Sequence, residues 1–310
     1  MSKFLVTGGA GFIGSHIVER LLKGRNYVRV LDNFSSGKLE NLKPFIKRID
    51  LIKGDITNAK TCLKAACGMD FILHQAALRS VPKSMSVPGD YNRVNIDGTL
   101  NMLQAARACK IKRFVLASSS SVYGMVEKFP EDENFLPGPV SPYALSKLTG
   151  EHYCRIFAEH FGVPAIALRY FNVFGPRQSL DDEYAVVIPK FINCLLKDQP
   201  LPIYGNGRQS RDFTFISNVV DANLLAARSP LKFGVFNVAS GKDYTILSLI
   251  KHLSLILGKQ PKKSFLPKRA GDVLKSLANL RHSRSALGYH PRFDFIKGLK
   301  ITVDFWKKHV

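Results

Sequence analysis

Three glycines near the start constrain this chain more than any other feature. Gly8, Gly11 and Gly14 lie in Thr7-Gly8-Gly9-Ala10-Gly11-Phe12-Ile13-Gly14, directly after the apolar run Phe4-Leu5-Val6 and at the opening of a helix-like stretch, Ser15–Lys23. At this spacing the first glycine allows a tight turn and the second lets the backbone approach a pyrophosphate. The third allows close contact between helix and strand. The helix then points free N–H groups at the phosphates. A strand, such a loop and a helix commit the start of the chain to a βαβ unit.

The rest of the first half continues that pattern. Val28-Arg29-Val30-Leu31, Ile49-Asp50-Leu51-Ile52, Phe71-Ile72-Leu73 and Phe114-Val115-Leu116 are short enough to be strands, with a helix-like Val94–Cys109 among the intervening segments. Ala165-Ile166-Ala167-Leu168 and Val235-Phe236-Asn237-Val238 could extend the same sheet. Alternation of this kind predicts an α/β fold, a doubly wound parallel (Rossmann) sheet covered by helices on both faces. After about residue 170 Pro and Gly recur, which reads as a smaller, loop-rich part draped over the end of the sheet. We expect a dinucleotide-binding domain over 1–170, with returning segments near 208–238, and a smaller domain from 171–207 and 239–310. Asp32 closes the second strand, 18 positions beyond Gly14. There a carboxylate would hydrogen-bond an adenosine ribose and repel a 2′-phosphate, favouring NAD over NADP. Asp55, in Gly54-Asp55-Ile56, could sit beside the adenine or cap a helix.

Composition removes several classes. With 310 residues, 45% of them hydrophobic, the chain can bury a real core. No apolar run approaches the ~18 residues of a membrane helix, and no cleavable signal segment is evident. The five cysteines form an odd, scattered set without a CxxC pair, arguing against a disulfide framework or a metal site and for a cytoplasmic protein. The formal charge of +21 is unusual, but the basic residues are dispersed. No groove-reading motif accompanies them, so neither a nucleic-acid nor a membrane partner is expected.

Pro139-Val140-Ser141-Pro142 reads as a helix start, and Tyr143-Ala144-Leu145-Ser146-Lys147 follows it. Four residues of helix put Tyr143 and Lys147 on one face, where a nearby ammonium favours a phenolate. Ser118-Ser119-Ser120-Ser121 follows the Phe114–Leu116 strand, at the sheet edge where ligands bind in such folds. A serine there can share the reacting proton with Tyr143.

At this point the chain resembles the extended short-chain dehydrogenase/reductases, specifically the nucleotide-sugar 4-epimerases. TGGAGFIGSH (7–16), Asp32-Asn33, Gly54-Asp55-Ile56, His74-Gln75-Ala76-Ala77, SSSSVYG (118–124), YALSK (143–147), RYFNVFGPRQ (169–178), RQSRDF (208–213), Arg269-Ala270-Gly271-Asp272 and Leu287-Gly288-Tyr289 occur in order. The resemblance implies Tyr143 as base, Lys147 as the group that lowers its pKa and holds the nicotinamide ribose, and Ser119 as the assistant at the sugar O4. It implies NAD contacts from Gly8, Gly11, Phe12, Ile13, Gly14, Asp32, Asn33, Ser36, Gly37, Asp55 and Ile56. Gln75, Ala76, Ala77, Lys83, Asn95 and Tyr170 complete that set. For a UDP-sugar it implies Ser80, Ser120, Gln178, Val186 and Val187 around the sugar and Asn172 at the diphosphate. Tyr204 would pack on the uracil, with Arg211, Arg269 and Asp272 on the uridine and phosphates. A homodimer built from the helices containing Asn101–Ala108 and Tyr143–Phe161 is also implied.

The implied reaction is transient oxidation at C4, rotation of the 4-keto sugar and return of the hydride. Related dehydratases carry an Asp-Glu pair where this chain has Ser120-Ser121, and the decarboxylases carry a Glu at the position of Ser121, so the epimerase is expected. Ser276, seven residues after Arg269, replaces a tyrosine found in relatives restricted to glucose and galactose. It leaves room for an acetamido group and points to UDP-GlcNAc and UDP-GalNAc, with UDP-Glc and UDP-Gal as a second pair. Arg79 could instead face a C6 carboxylate, which would make uronates the substrates. A silent NAD-binding sensor is the alternative of another class, and the intact Ser119, Tyr143 and Lys147 set speaks against it.

Overall fold

The computed structural model describes residues 1–180, 187–268 and 273–309. In chain order its strands are β1 (Lys3–Thr7), β2 (Tyr27–Asp32), β3 (Asp50–Lys53), β4 (Phe71–His74), β5 (Arg113–Ser119), β6 (Ala165–Tyr170) and β7 (Val173–Phe174). They continue with β8 (Leu201–Tyr204), β9 (Ser210–Asp212), β10 (Thr214–Phe215), β11 (Phe233–Val238), β12 (Asp243–Thr245) and β13 (Lys263–Leu266). The main sheet runs β3-β2-β1-β4-β5-β6-β11, and every neighbouring pair in it is parallel. All seven apolar runs expected to be strands therefore lie in one doubly wound sheet. The chain winds outward in both directions from β1 and β4, which leaves a crevice at their carboxyl ends.

Strand alternation sorts the side chains into two cores. Phe4, Val6, Val115 and Leu168 face one side, with Ile17 of the helix Phe12–Lys23 and Val219 of the helix Ile216–Arg228. Leu5, Ile72, Phe114 and Ala167 face the other. They meet Cys62 of the helix Ala59–Ala66, Met102 of Gly98–Ala108 and Phe157 of Pro142–His160. Period-two alternation in the strands and a 3–4 spacing in the helices produce both layers. The expected single helix over Val94–Cys109 is divided. Residues Asn92–Asp97 form a wider π turn and the regular helix begins at Gly98, where a Cβ would come 2.6 Å from the Ile56 side chain. Inside the wide turn, Asn95 donates to Leu78 O at 3.0 Å and accepts from Leu78 N at 2.8 Å, a local demand that regular helix would not meet.

Three short ladders follow at the carboxyl side: β7 with β10, β8 with β13, and β9 with β12, of which only the last is antiparallel.

Beneath the crevice, His74 links β1, β4 and the helix Gly98–Ala108. Thr99 Oγ1 donates to Asn95 O at 2.6 Å, so it accepts from His74 Nε2, 3.2 Å away. Thr7 Oγ1 accepts from Ala76 N and donates to His74 Nδ1 at 2.8 Å. A proton on Nδ1 would set two donors against each other inside a dry site. Burial, and secondarily the Lys147 charge, hold this histidine down at about 3. The unfolded chain therefore takes up protons below about pH 6.5 that the native chain refuses, so stability falls as pH drops through that window. At pH 5 this single group costs on the order of 2 kcal/mol. Glu131 and Asp212, pushed up by burial to about 7 and about 6, act with the opposite sign. The measurement is therefore a comparison: urea midpoints at roughly pH 7.5 and 5 should diverge less in His74→Asn than in the wild type. Equal divergence would remove His74 as the source.

Candidate active site

A cavity of about 1010 Å³ opens over the carboxyl ends of β1 and β4. Its floor is the glycine loop. Gly8 has φ +67, and a Cβ on Gly14 would sit 2.1 Å from the Gly8 carbonyl oxygen, so a side chain at either position displaces backbone. The helix that starts at Phe12 has Gly11 as its N-cap, with no side-chain cap and no acidic residue in its first turn. Its amide end thus faces the cavity ready for an anion. Asp32 is buried, and its carboxylate accepts from Ala10 N and Phe34 N, both at 2.8 Å. Burial raises its pKa against those two bonds. Asp32 therefore anchors the glycine loop as well as facing the cavity. Ser36 and Gly37 line the same end, where a Cβ on Gly37 would meet Asp32 Oδ1 at 3.0 Å.

Asp55 lies beside Asn33, from which it accepts at 2.7 Å, and binds Thr57 N and Oγ1 at 2.8 Å. Burial pushes its pKa up, but these bonds outweigh it and hold the carboxyl below its ordinary value. The cap of the next helix is Asn58, which corrects the capping alternative for Asp55. Ile56, Gln75, Ala76 and Ala77 continue the wall. Gln75, Asn223 and Tyr170 close a hydrogen-bonded triangle of 3.0, 2.8 and 3.2 Å. A bare loop of glycines with a carboxylate one strand away fits a dinucleotide with a free ribose. Two residues expected at the cofactor stand back from the cavity. Asn95 is buried and committed to Leu78 and Ser146, and Lys83 is exposed on the short helix Val81–Ser86.

Tyr143, Lys147 and Ser119 meet at the other end of the cavity. Ser141 caps their helix by accepting from Ala144 N at 3.1 Å. Lys147 Nζ lies 5.8 Å from the Tyr143 ring centre and donates to Ala117 O at 2.9 Å. Burial holds Lys147 down at about 8. Tyr143 is also displaced, upward, because burial outweighs a hydrogen bond with Ser119 and the charge of Arg79. Lys147 thus gives one of its three donors to a strand carbonyl, and Ser119 and Arg79 also act on the phenol, against its burial. Ser119 is itself held by Ser121, whose N and Oγ donate to Ser119 Oγ at 3.2 and 2.9 Å.

Directly behind lies a buried ion pair that motif reading does not announce. Arg169 Nε and Nη2 donate to Glu151 at 2.9 and 2.7 Å, and Ser118 Oγ donates to the same carboxylate. Tyr91 is a second such residue. Its hydroxyl donates to Arg79 O at 2.6 Å and to Ser80 O at 2.9 Å, and its ring meets Tyr143 edge-on at 6.3 Å. Glu151 had a detectable signal, four residues beyond Lys147 on the same helix face. Tyr91 had none.

Of the residues assigned to substrate, Arg79, Asn172 and Gln178 line the cavity. Gln178 Oε1 is buried there with no hydrogen-bond partner among the described residues. Asn172 Nδ2 donates to Asp212 O and to Ser276 Oγ, both at 3.2 Å, so Ser276 sits behind Asn172 rather than on the cavity wall. Ser80 caps the helix Val81–Ser86, and Ser120 opens the turn Ser120–Tyr123. Val187 packs on the core at the start of the helix Val187–Leu196. Tyr204 ends β8, paired with Leu266 of β13, and Arg211 lies in β9, donating to Ser210 O at 2.8 Å. Val186, Arg269 and Asp272 lie outside the described residues. Among the described residues no cluster of His, Cys, Asp and Glu could hold a metal ion, and no helix is long and apolar enough to cross a membrane.

Comparison with known proteins agrees with this geometry. The profile of the NAD dependent epimerase/dehydratase family matches residues 4–239. A UDP-glucose 4-epimerase of Mycolicibacterium smegmatis is 35% identical over 308 residues, 98% of each chain. The UDP-N-acetylglucosamine 4-epimerase of Methanobrevibacter ruminantium, solved with UDP-N-acetylmuramic acid, is 41% identical. It superposes with a TM-score of 0.96 over 100% of this chain and 99% of that one. The UDP-glucuronic acid 4-epimerase of Bacillus cereus, solved with UDP-glucuronic acid and NAD, is 33% identical with a TM-score of 0.92, covering 99% and 100%.

Proposed function

The chain belongs to the NAD dependent epimerase/dehydratase family, and we propose that it is a UDP-sugar 4-epimerase whose preferred pair is UDP-GlcNAc and UDP-GalNAc. The observation that carries the reading is the convergence of Ser119, Tyr143 and Lys147 at one end of a cavity whose other end is the glycine loop and Asp32. NAD, when bound, supplies the acceptor for the C4 hydride and returns it. The residues do the rest. Tyr143 takes the O4 proton and later gives it back, and Ser119, steadied by Ser121, holds O4 at hydrogen-bond reach of the phenol. Lys147 holds positive charge beside the ring and a donor toward the ribose. Asp32 leaves no place for a 2′-phosphate. The smaller part, from 171–207 and 239–310, carries Tyr204, Arg269 and Asp272, assigned to the nucleotide, and Val186, assigned to the sugar, while Arg211 comes from the returning segment 208–238. A homodimer is supported by the groove between the helices Gly98–Ala108 and Pro142–His160, which leaves Ile156 and Phe161 partly exposed.

The acetamido preference rests on Ser276. A tyrosine at 276 would press on Asn172 and through it into the cavity. Ser276→Tyr should lower kcat/KM for UDP-GlcNAc relative to UDP-glucose by about tenfold or more. An unchanged ratio would end the argument. One observation favours a second reading: Arg79 is exposed, lines the cavity and acts on Tyr143 by its charge, a placement suited to a sugar carboxylate. Assay of 4-epimer formation from UDP-GlcNAc, UDP-glucose and UDP-glucuronate separates the two. Faster turnover of the uronate would replace the first reading by the second.

A further inference from the structure

The five cysteines read as scattered along the sequence, but folding brings two of them together. Cys67 Sγ and Cys109 Sγ lie 2.9 Å apart, across 42 residues of chain. That is only about 0.9 Å beyond the bond length of a disulfide. Each residue is the C-cap of one of two packed helices, Ala59–Ala66 and Gly98–Ala108. Both ends are pinned by backbone bonds. Cys67 N donates to Leu63 O at 3.0 Å, and the Arg29 guanidinium donates to the carbonyls of Ala65 and Cys67 at 3.0 and 2.9 Å. Cys109 N donates to Ala105 O and Ile111 N to Ala106 O, each at 2.9 Å. The sulfurs are thus held near each other by rigid elements. Cys67 is exposed and Cys109 half-buried, whereas Cys62, Cys154 and Cys194 are buried.

We propose that Cys67 and Cys109 form a reversible dithiol–disulfide site that takes a peroxide or a small-molecule disulfide as its oxidant. Exposure makes Cys67 the sulfur that meets the oxidant. With hydrogen peroxide, the Cys67 thiol gives up its proton, the thiolate attacks one oxygen, the O–O bond breaks, and the leaving hydroxide takes up that proton, so a sulfenic acid and one water result. Cys109 sulfur then attacks Cys67 sulfur, the S–O bond breaks, and a second water leaves with the Cys109 proton. Two thiols lose two hydrogens and two electrons, and peroxide becomes two waters. Burial and the neighbouring sulfur raise the Cys109 thiol, which leaves the first attack to the exposed Cys67. Cys109 follows because it is held beside the Cys67 sulfur, and its proton passes to the departing oxygen as the S–S bond forms. An external dithiol reverses the sequence.

The cross-link would brace one wall of the cavity. The two helices it joins also meet at Ile56, whose carbonyl accepts from Cys62 Sγ at 3.1 Å and from Asn101 Nδ2 at 3.0 Å, and Ile56 lines the nucleotide end. Closing a loop of this length should raise Tm by roughly 5 °C.

The test uses the full chain, reduced, freed of reductant, and exposed to hydrogen peroxide or to oxidised glutathione. Tryptic mapping without reduction should find peptide 65–79 joined to peptide 108–110, and dithiothreitol should release both and reverse the rise in Tm. Cys67→Ser and Cys109→Ser should each abolish the joined peptide and the rise, while Cys194→Ser keeps them. Recovery of Cys67 only as a sulfinic acid, a glutathione adduct or an intermolecular cross-link, with Cys109 still free, would overturn the proposal.

Discussion

Replacing Tyr143 by phenylalanine lowers the rate of C4 inversion by about 10²- to 10⁴-fold, the range that a positioned proton-transfer group contributes, while NAD and UDP-sugar still bind. The ring stays in its place because its packing does not depend on the hydroxyl: Tyr91 meets it edge-on and Lys147 lies 5.8 Å from its centre. What disappears is the phenol oxygen on which Ser119 acts and which can accept the O4 proton. A companion variant distinguishes proton transfer from geometry. Ser121→Ala keeps the phenol but removes one of the two donors that hold Ser119. It should slow turnover by a smaller factor, about tenfold for a lost hydrogen bond. Burial raises the Tyr143 pKa, so the phenolate needs nearby positive charge. Arg79→Ala should therefore move the alkaline requirement of kcat upward. Full activity in Tyr143→Phe would refute the assignment of the base, and with it the proposed chemistry.

The parts of this site visible in the sequence are those encoded by local spacing. The glycine loop announces itself because three glycines at that spacing between a strand and a helix have few other uses. Tyr143 and Lys147 announce themselves because one helical turn joins them. The seven strands were legible for the same reason, each being a short apolar run bounded by turns. What escaped depends on register between distant segments. That Lys147 reaches the Ala117 carbonyl follows from how the helix Pro142–His160 lies across β5, and no spacing reports it. The position of Ser276, seven residues after Arg269, suggests a wall of the sugar pocket. Its hydrogen bond to Asn172 moves it one layer back. The pairing of Cys67 with Cys109 arises from two helix ends whose proximity only the packed sheet determines. Glu151 stands between these cases, since its helix face was predictable and its partner was not.

That partner gives the second large effect, this time on stability. Glu151→Gln should destabilise the chain by about 3–5 kcal/mol, as removal of one member of a buried ion pair does. Arg169 would keep its charge, with side-chain exposure of 4%, and lose the carboxylate that holds it from two nitrogens. Its Nη1 has no hydrogen-bond partner among the described residues, and the Tyr123 ring, 4.6 Å from the guanidinium carbon, can offset only part of the loss. Arg169 cannot shed its proton to escape, since a guanidinium stays protonated at any accessible pH. Glu151→Leu combined with Arg169→Met removes both charges and should recover most of the stability. The double variant should not recover full activity, because Ser118 then loses its acceptor beside Ser119. Thermal denaturation with steady-state kinetics on the single and double variants reads both effects. If Glu151→Gln melts with the wild type, the pair carries no net stabilisation. If the double variant regains full kcat, the pair stabilises the fold without positioning Ser119.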